Sequence, residues 1–303
     1  MILAYCFIGP LPDYAIDTIR QTRLFYKGDI YFIVSDLMSS HISTLQSVYH
    51  VTIVPYEPLI DEEFNQCVQQ YVHKFTIVEG AKGRERLFIY AFERFVVLRQ
   101  LMVQQHLANV FFMELDNLIY DDPVKWEESF CRSEMAFMFD NYDRCASGIC
   151  FIKNVEILSE FRTCCMEYII QTDITKQFMT EMQALDQFWK INPHKVQILP
   201  THWPAEHVPP MTYEHYGHYQ ESIFDSAGLG IYFGGVDTLH TGGLVMTGLR
   251  APWSAIDYTP NHFEWKTDEE NRLIPYVVRE GQWIRINNLH IHSKQLRPHL
   301  SRE

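Results

Sequence analysis

Three short apolar runs, Ile2 to Ile8, Ile30 to Val34 and Val51 to Pro55, alternate with two helical stretches at the start of the chain. Gly9-Pro10-Leu11-Pro12 breaks the first run, and Asp13 stands where it can cap a helix over 14–26. Lys27-Gly28-Asp29 turns the chain into the second run, which ends at Ser35-Asp36, and a short helix near 43–49 leads to the third. A strand–helix rhythm of roughly 25 residues restricts the chain to an α/β fold with right-handed crossovers and a parallel sheet.

A helical region follows. Its first piece spans 61–75, Gly80-Ala81-Lys82-Gly83 interrupts it, and its longer piece spans 84–108. Phe88, Phe92, Phe95, Leu98 and Met102 recur there at spacings of three and four and define a core face. Arg86, Arg94 and Arg99 share that helix. Each reads either as a solvated side chain or, for Arg94 above all, as a base that reaches phosphate.

Asn109 to Pro123, NVFFMELDNLIYDDP, comes next. Val110 to Met113 reads as a buried strand running into Glu114-Leu115-Asp116-Asn117. Alternation places Glu114 and Asp116 on one side and Leu115 on the other. Carboxylates at the carboxyl end of such a strand lie where open α/β sheets bind ligands. They are costly there unless compensated, and a divalent cation carrying substrate phosphates is the simplest compensation. The plainer alternative is a strand-to-loop turn with both acids in water.

The net charge of −13 excludes nucleic acid or an anionic membrane as the expected partner, since both need a basic face. No apolar stretch approaches the roughly 20 residues of a membrane span. Seven cysteines without CxxC spacing read as reduced thiols of a cytoplasmic protein. At 47% hydrophobic residues the chain has ample core for one large α/β domain.

Beyond Pro123 the pattern gives a short helix over 125–131 and strands over 135–140, 147–152 and 196–199. Helices are expected over 155–171 and 179–191, the second carrying Asp186-Gln187. From Thr201 onward His202, His207, His215, His218, His240, Tyr213, Tyr216 and Tyr219 crowd a loop-rich region. Gly228, Gly230, Gly234, Gly235, Gly242 and Gly243 follow, with Asp225 and Asp237 among them. Glycines of this density permit close backbone approach to a ligand, and long loops in compact domains are usually functional. The alternative is an ordinary loop core. In the tail, extended geometry would place Asn288, His290, His292 and Lys294 on one face, opposite Leu289 and Ile291. That face suits a metal-bound diphosphate, and a half-exposed edge strand is the plainer reading.

In this order the motifs resemble those of nucleotide-sugar-dependent glycosyltransferases of the GT-A fold. They are Phe7-Ile8-Gly9, the 30–36 strand, Glu114-Leu115-Asp116, Ser147-Gly148, Asp186-Gln187 and His290-Ile291-His292-Ser293-Lys294. The chain looks especially like bacterial and large-virus sequences with an ELDN element, a GG-D loop and an LHIHSK end. The resemblance spans nearly the whole chain. It implies one GT-A domain over 1–303, with 1–120 as the nucleotide-binding half. Residues 121–303 would then hold the acceptor and the C-terminal metal and diphosphate segment.

The resemblance further implies a donor site built from Phe7, Gly9, Asp36, Arg94, Glu114, Asp116, Asn117 and Lys294. Within it, Phe7 to Gly9 and Asp36 line the base and ribose pocket, and Lys294 meets the diphosphate. Mn²⁺ or Mg²⁺ would be held by Asp116 with His290 or His292, and Glu114 would hold ribose or a metal-bound water. Asp186 would be the catalytic residue, facing the transferred sugar or the acceptor hydroxyl. Expected partners are a nucleotide-diphosphate sugar and a glycan or other hydroxyl acceptor, in the cytoplasm, or the host cytoplasm for a viral protein. Glu114 departs from the usual Asp-x-Asp, and the tail lacks His-x-x-Gly-x-x-Lys, which leaves retention or inversion open. Two other classes fit less of the chain. A sugar nucleotidyltransferase would want a Gly-rich basic loop where Gly9-Pro10-Leu11-Pro12 stands. A non-catalytic glycan-binding module would use the aromatic stretch from His202 to Trp265.

Overall fold

A computed structural model describes residues 1–75, 85–175, 179–235 and 262–302. The expected Gly80–Gly83 interruption and Asp237, His240, Gly242 and Gly243 lie outside the described residues. The opening rhythm is realised as β1 (Ile2–Phe7), α1 (Tyr14–Phe25), β2 (Ile30–Val34), α2 (His41–Ser47) and β3 (Val51–Pro55). Then come α3 (Glu62–Gln70), α4 (Glu85–Gln105), β4 (Val110–Met113) and β5 (Asn117–Ile119). The middle comprises α5 (Glu127–Phe130), β6 (Met135–Asn141), β7 (Arg144–Ile152), α6 (Val155–Gln171), α7 (Glu181–Ile191) and β8 (Val196–Leu199). The last part holds α8 (Gly228–Gly234), β9 (His262–Thr267), β10 (Leu273–Arg279), β11 (Gln282–Arg285) and β12 (Asn288–His290).

The central sheet has the order β3-β2-β1-β4-β7-β6-β8, with a small β11-β10-β9 sheet and a β12-β5 pair beside it. Strands β1 to β4 are mutually parallel, as the crossover rhythm requires. The sheet is mostly parallel, as expected for a GT-A-like α/β domain, and its antiparallel member is β7, which runs opposite to both β4 and β6. The reason is local. Only Tyr142 and Asp143 separate β6 from β7, and a connection that short can only reverse the chain.

Alternation along β4 divides the core. Phe111 and Met113 face one layer with Tyr5, Phe32 and Leu289, while Val110 and Phe112 face the other with Phe92, Phe95 and Phe161. Because both faces are covered, the strands read as continuous apolar runs. Among the described residues no helix is long and apolar enough to cross a membrane. All seven cysteines are free thiols, and five are buried.

The capping expectation at Asp13 fails. Asp13 is itself helical and makes no side-chain cap; its carboxylate lies 3.0 Å from the His41 ring instead. Asp61 does cap α3, accepting from Phe64 N at 2.9 Å, and it also takes Arg162 bidentately at 2.7 and 2.8 Å. Burial raises its pKa, but Arg162 and the Phe64 amide outweigh burial and leave it below the usual value. A lowered folded pKa means that the stabilisation is present above the unfolded value of about 3.9 and is lost as pH falls through the folded one. Asp61→Ala is expected to cost about 2–3 kcal/mol in urea unfolding at pH 7, combining a lost cap with a lost charged hydrogen bond. The deficit should shrink below about pH 4, where wild type also loses this charge.

Candidate active site

The ELDN stretch leaves the sheet by a tight turn. Glu114 N still donates to Gly148 O at 2.9 Å, and Asn117 N closes back on Glu114 O at 3.1 Å. The turn, not strand alternation, therefore brings the two acids together. β5 then takes β12 as its antiparallel partner, with Asn117 opposite His290, and Ile291 N donates to Asp116 O at 2.9 Å. A strand from the end of the chain is thus laid along the strand-end acids.

His290 Nε2 lies 3.1 Å from Asp116 Oδ2 and 3.2 Å from Glu114 Oε2. Lys294 Nζ donates to Asp116 Oδ2, and Arg94 Nη1 donates to Glu114 Oε1. Arg94 Nη2 also donates to Ser147 Oγ at 2.8 Å and to Glu181 Oε1 at 3.1 Å. Burial opposes charge on both acids, yet His290 and Lys294 hold Asp116 well below the carboxylate range, and Arg94 and His290 hold Glu114 low. The His290 imidazole moves the other way, because Asp116 and Glu114 outweigh the cost of burying its cation. Glu181 is raised by burial, which Arg94 only partly offsets.

The donor set fits a hard divalent ion. One oxygen each from Glu114 and Asp116 and one His290 nitrogen lie within 4.8 Å of one another, the mixed O/N set such ions accept. Asn117 Nδ2 and His290 Nδ1 are buried with no hydrogen-bond partner among the described residues. Gly148 makes room for both: a Cβ there would stand 2.9 Å from each atom.

A cavity of about 290 Å³ opens beside this cluster, near the lower end of ligand-site volumes of about 300–1,000 Å³. Cys6, Phe7, Ile8, Tyr14, Leu87, Tyr90 and Ala91 form its less polar wall, and Arg94, Glu114, Asp116 and Lys294 its charged end. Burial pushes the Cys6 thiol up to about 12, so it stays protonated there.

Of the residues expected from sequence, Phe7, Arg94, Glu114, Asp116 and Lys294 line this cavity. Asn117 sits beneath it, its Oδ1 accepting from Asn288 Nδ2 at 2.9 Å. Gly9 and Asp36 brace the loop after β1. Gly9, at φ 120°, donates to Ser35 Oγ at 2.8 Å, and Asp36 accepts from Leu11 N at 3.2 Å. His292 lies outside the three-residue cluster, with its ring centroid 6.3 Å from that of His290. β12 ends at His290, so the alternation that would have carried His292 to the same face stops there. Lys294 regains the site through a turn, at φ 65°.

Asp186 is not among the cavity residues; its Oδ2 pairs with Lys190 at 2.7 Å, one turn along α7. The acid of α7 that borders the cluster is Glu181. Five residues of helix separate the two, about 7.5 Å of rise. The signal was present: Thr180 and Gln183 form a capping box, which fixes the first turn and points Glu181 at the strand ends. Asp225 was legible only as an acid among glycines, and Asn288 only as a polar member of the tail face with His290 and Lys294. The His/Tyr-rich loop is core at two of its residues: Tyr219 packs on Phe130 and Phe224, and His202 lies on Trp203 with centroids 3.8 Å apart, whereas His207 and His218 are exposed. Burial lowers the His202 pKa to about 4.

No protein-family model and no curated protein matches the chain. The solved structures it matches include apo mouse xyloside xylosyltransferase 1, at 11% identity over 66% of this chain and 85% of that one, with a TM-score of 0.45. Galactosyltransferase LgtC in complex with donor and acceptor sugar analogs matches at 12% identity over 66% of this chain and 74% of that one, TM-score 0.40. The PaToxG glycosyltransferase matches at 12% over 63% and 69%, TM-score 0.36. At likenesses of this size, function rests on the chain's own residues.

Proposed function

We propose that the protein is a metal-dependent glycosyltransferase of GT-A type, moving a sugar from a nucleotide-diphosphate sugar to a hydroxyl acceptor such as a glycan. The carrying observation is the Glu114–Asp116–His290 cluster, with Lys294 on Asp116, at the open end of β4 against the cavity. Buried acids that converge on a cationic imidazole and ammonium form a site shaped for positive charge. The parallel β3-β2-β1-β4 half of the sheet and the order of the sequence motifs support the same reading. Seven free thiols support a reducing, cytoplasmic setting.

Glu114, Asp116 and His290 would hold Mn²⁺ or Mg²⁺, which supplies Lewis-acid neutralisation of the charge that develops on the departing diphosphate. Lys294 adds a point charge on the same side. Arg94 fixes Glu114 from behind, so the acids keep their geometry when the donor enters. The Phe7, Ile8, Tyr14, Leu87 and Tyr90 wall would take the nucleoside. Asp186, in this reading, serves the reaction centre from outside the donor cavity. Its Oδ1 is buried with no hydrogen-bond partner among the described residues, an acceptor that a sugar hydroxyl would satisfy.

The test is release of nucleotide diphosphate from a panel of nucleotide sugars, with Mn²⁺ or a chelator, followed by mass spectrometry of offered glycans. Turnover of one donor that stops in chelator is the expected result, and no metal-dependent release from any donor would overturn the proposal. In the same assay Asp186→Asn should lower kcat and kcat/KM together if it meets the transition state. Unchanged kinetics would confine Asp186 to its Lys190 pair.

A further inference from the structure

Asp225 is wholly buried, and the hydrogen bonds its carboxylate accepts come from backbone amides. Oδ1 accepts from Ala227 N and Leu229 N at 2.9 Å each; Oδ2 accepts from Gly230 N at 2.8 Å and from His290 N at 2.9 Å. Three of these amides belong to the start of α8, where an ordinary helix cap would serve. The fourth lies sixty-five residues away, on the histidine of the metal-candidate cluster.

The same node reaches the turn that carries the acids. Asp225 N donates to Asn288 Oδ1 at 2.9 Å, and Asn288 Nδ2 donates to Asn117 Oδ1 at 2.9 Å and to Asp225 O at 3.1 Å. The contact with α8 is equally close. A Cβ on Gly230 would stand 1.8 Å from His290 O, and one on Gly234 would stand 3.1 Å from Ile291 Cγ2. Helix α8 therefore lies directly on the His290 backbone, with its glycines toward the tail.

We infer that Asp225 is a positioning residue: it fixes the backbone of His290 against the Asp116 turn, and so sets where the imidazole meets the two acids. The inference rests on the metal reading of the preceding subsection. A carboxylate suits the task because each oxygen accepts two amides at once, joining the α8 turn to β12 through one rigid plane. Partners behind a metal ligand are typically worth about 10- to 100-fold in affinity. Asp225 would exert that leverage through the main chain of the ligand, leaving Nε2 free to face Glu114 and Asp116.

A double-mutant cycle on Mn²⁺ affinity tests this, with the intact chain, no nucleotide, and binding read from loss of the free-Mn²⁺ resonance. Asp225→Asn exchanges an acceptor for a donor facing the α8 turn or His290 N. It is expected to weaken Mn²⁺ binding about 10-fold or more. In a His290→Ala background the same change is expected to have almost no further effect, since the group it positions is gone. Gly230→Ala, which displaces the His290 carbonyl, should behave alike and serves if Asp225→Asn does not fold. An equal loss in both backgrounds would make Asp225 a general structural residue and overturn the inference. So would wild-type affinity in Asp225→Asn while His290→Ala is weakened. Wild-type Mn²⁺ affinity in His290→Ala would instead overturn the metal reading on which the inference rests.

Discussion

Asp116→Asn is expected to abolish sugar transfer, by about 10³-fold or more, while the protein still folds. The substitution keeps volume and removes one charge, but that charge is the point on which His290 and Lys294 converge. Without it the imidazole keeps only Glu114, and Lys294 loses the anchor that aims it along the cavity. The fold tolerates the change because the core strands end at Met113, and the turn is held by the Glu114–Asn117 and Ile291–Asp116 backbone bonds. Circular dichroism and urea unfolding should therefore show a modest change, while transfer and Mn²⁺ binding fall together. A variant that transfers sugar near the wild-type rate would remove Asp116 from the site.

Arg94→Met is expected to act on stability as much as on activity. Arg94 is 12% exposed in its side chain, and it spans Glu114, Glu181 and Ser147. Removing it leaves the buried Glu181 and the half-buried Glu114 facing an apolar thioether, and breaking a pair as covered as this costs about 3–5 kcal/mol. The pH dependence follows in sign. In wild type the lowered Glu114 pKa means a contribution that is present above about pH 4.3 and lost as pH falls. In the variant both acids lose the cation that most opposes their burial, with His290 still beside Glu114, so their protonation relieves the strain, and the gap to wild type should narrow as pH drops from 7 toward 4.5. Urea midpoints at the two pH values measure this. Adding Glu181→Gln should recover part of the loss at pH 7, since it removes one of the stranded charges. A gap that widens on acidification would contradict the ion-pair account.

Much of this arrangement can be read from the sequence wherever the information is local. The β1, β2 and β4 runs are apolar on both faces, and the ELDN turn follows its strand directly, so a strand-end acidic site is visible without a structure. Lys294 and His290 are visible as a polar pattern in the tail, but for a reason only half right. Alternation carries His290 to the site, whereas a turn at positive φ carries Lys294. What is hidden is non-local. Asn117-Leu118-Ile119 is too short to announce a strand, and its partner Asn288-Leu289-His290 is about 170 residues away. Glu181 is hidden for a subtler reason. The helical pattern around Asp186 is periodic enough to be found, yet the acid that borders the cluster sits in the first turn, where periodicity has barely begun and only the Thr180–Gln183 capping box marks the place. Asp225 looks like a loop acid in a glycine-rich stretch, because its four amide partners are a property of the folded backbone.

The most direct measurement of the central claim is the coupling between metal and diphosphate at Asp116. Binding of nucleoside diphosphate and of the matching nucleoside is measured by calorimetry with Mn²⁺ and with a chelator, in wild type and Asp116→Asn. The expected result is nucleoside-diphosphate binding at least about 10-fold tighter with Mn²⁺ in wild type, about 1.4 kcal/mol of coupling, with nucleoside binding unchanged. The coupling should vanish in Asp116→Asn. Nucleoside diphosphate that binds wild type equally well in Mn²⁺ and in chelator would contradict the account.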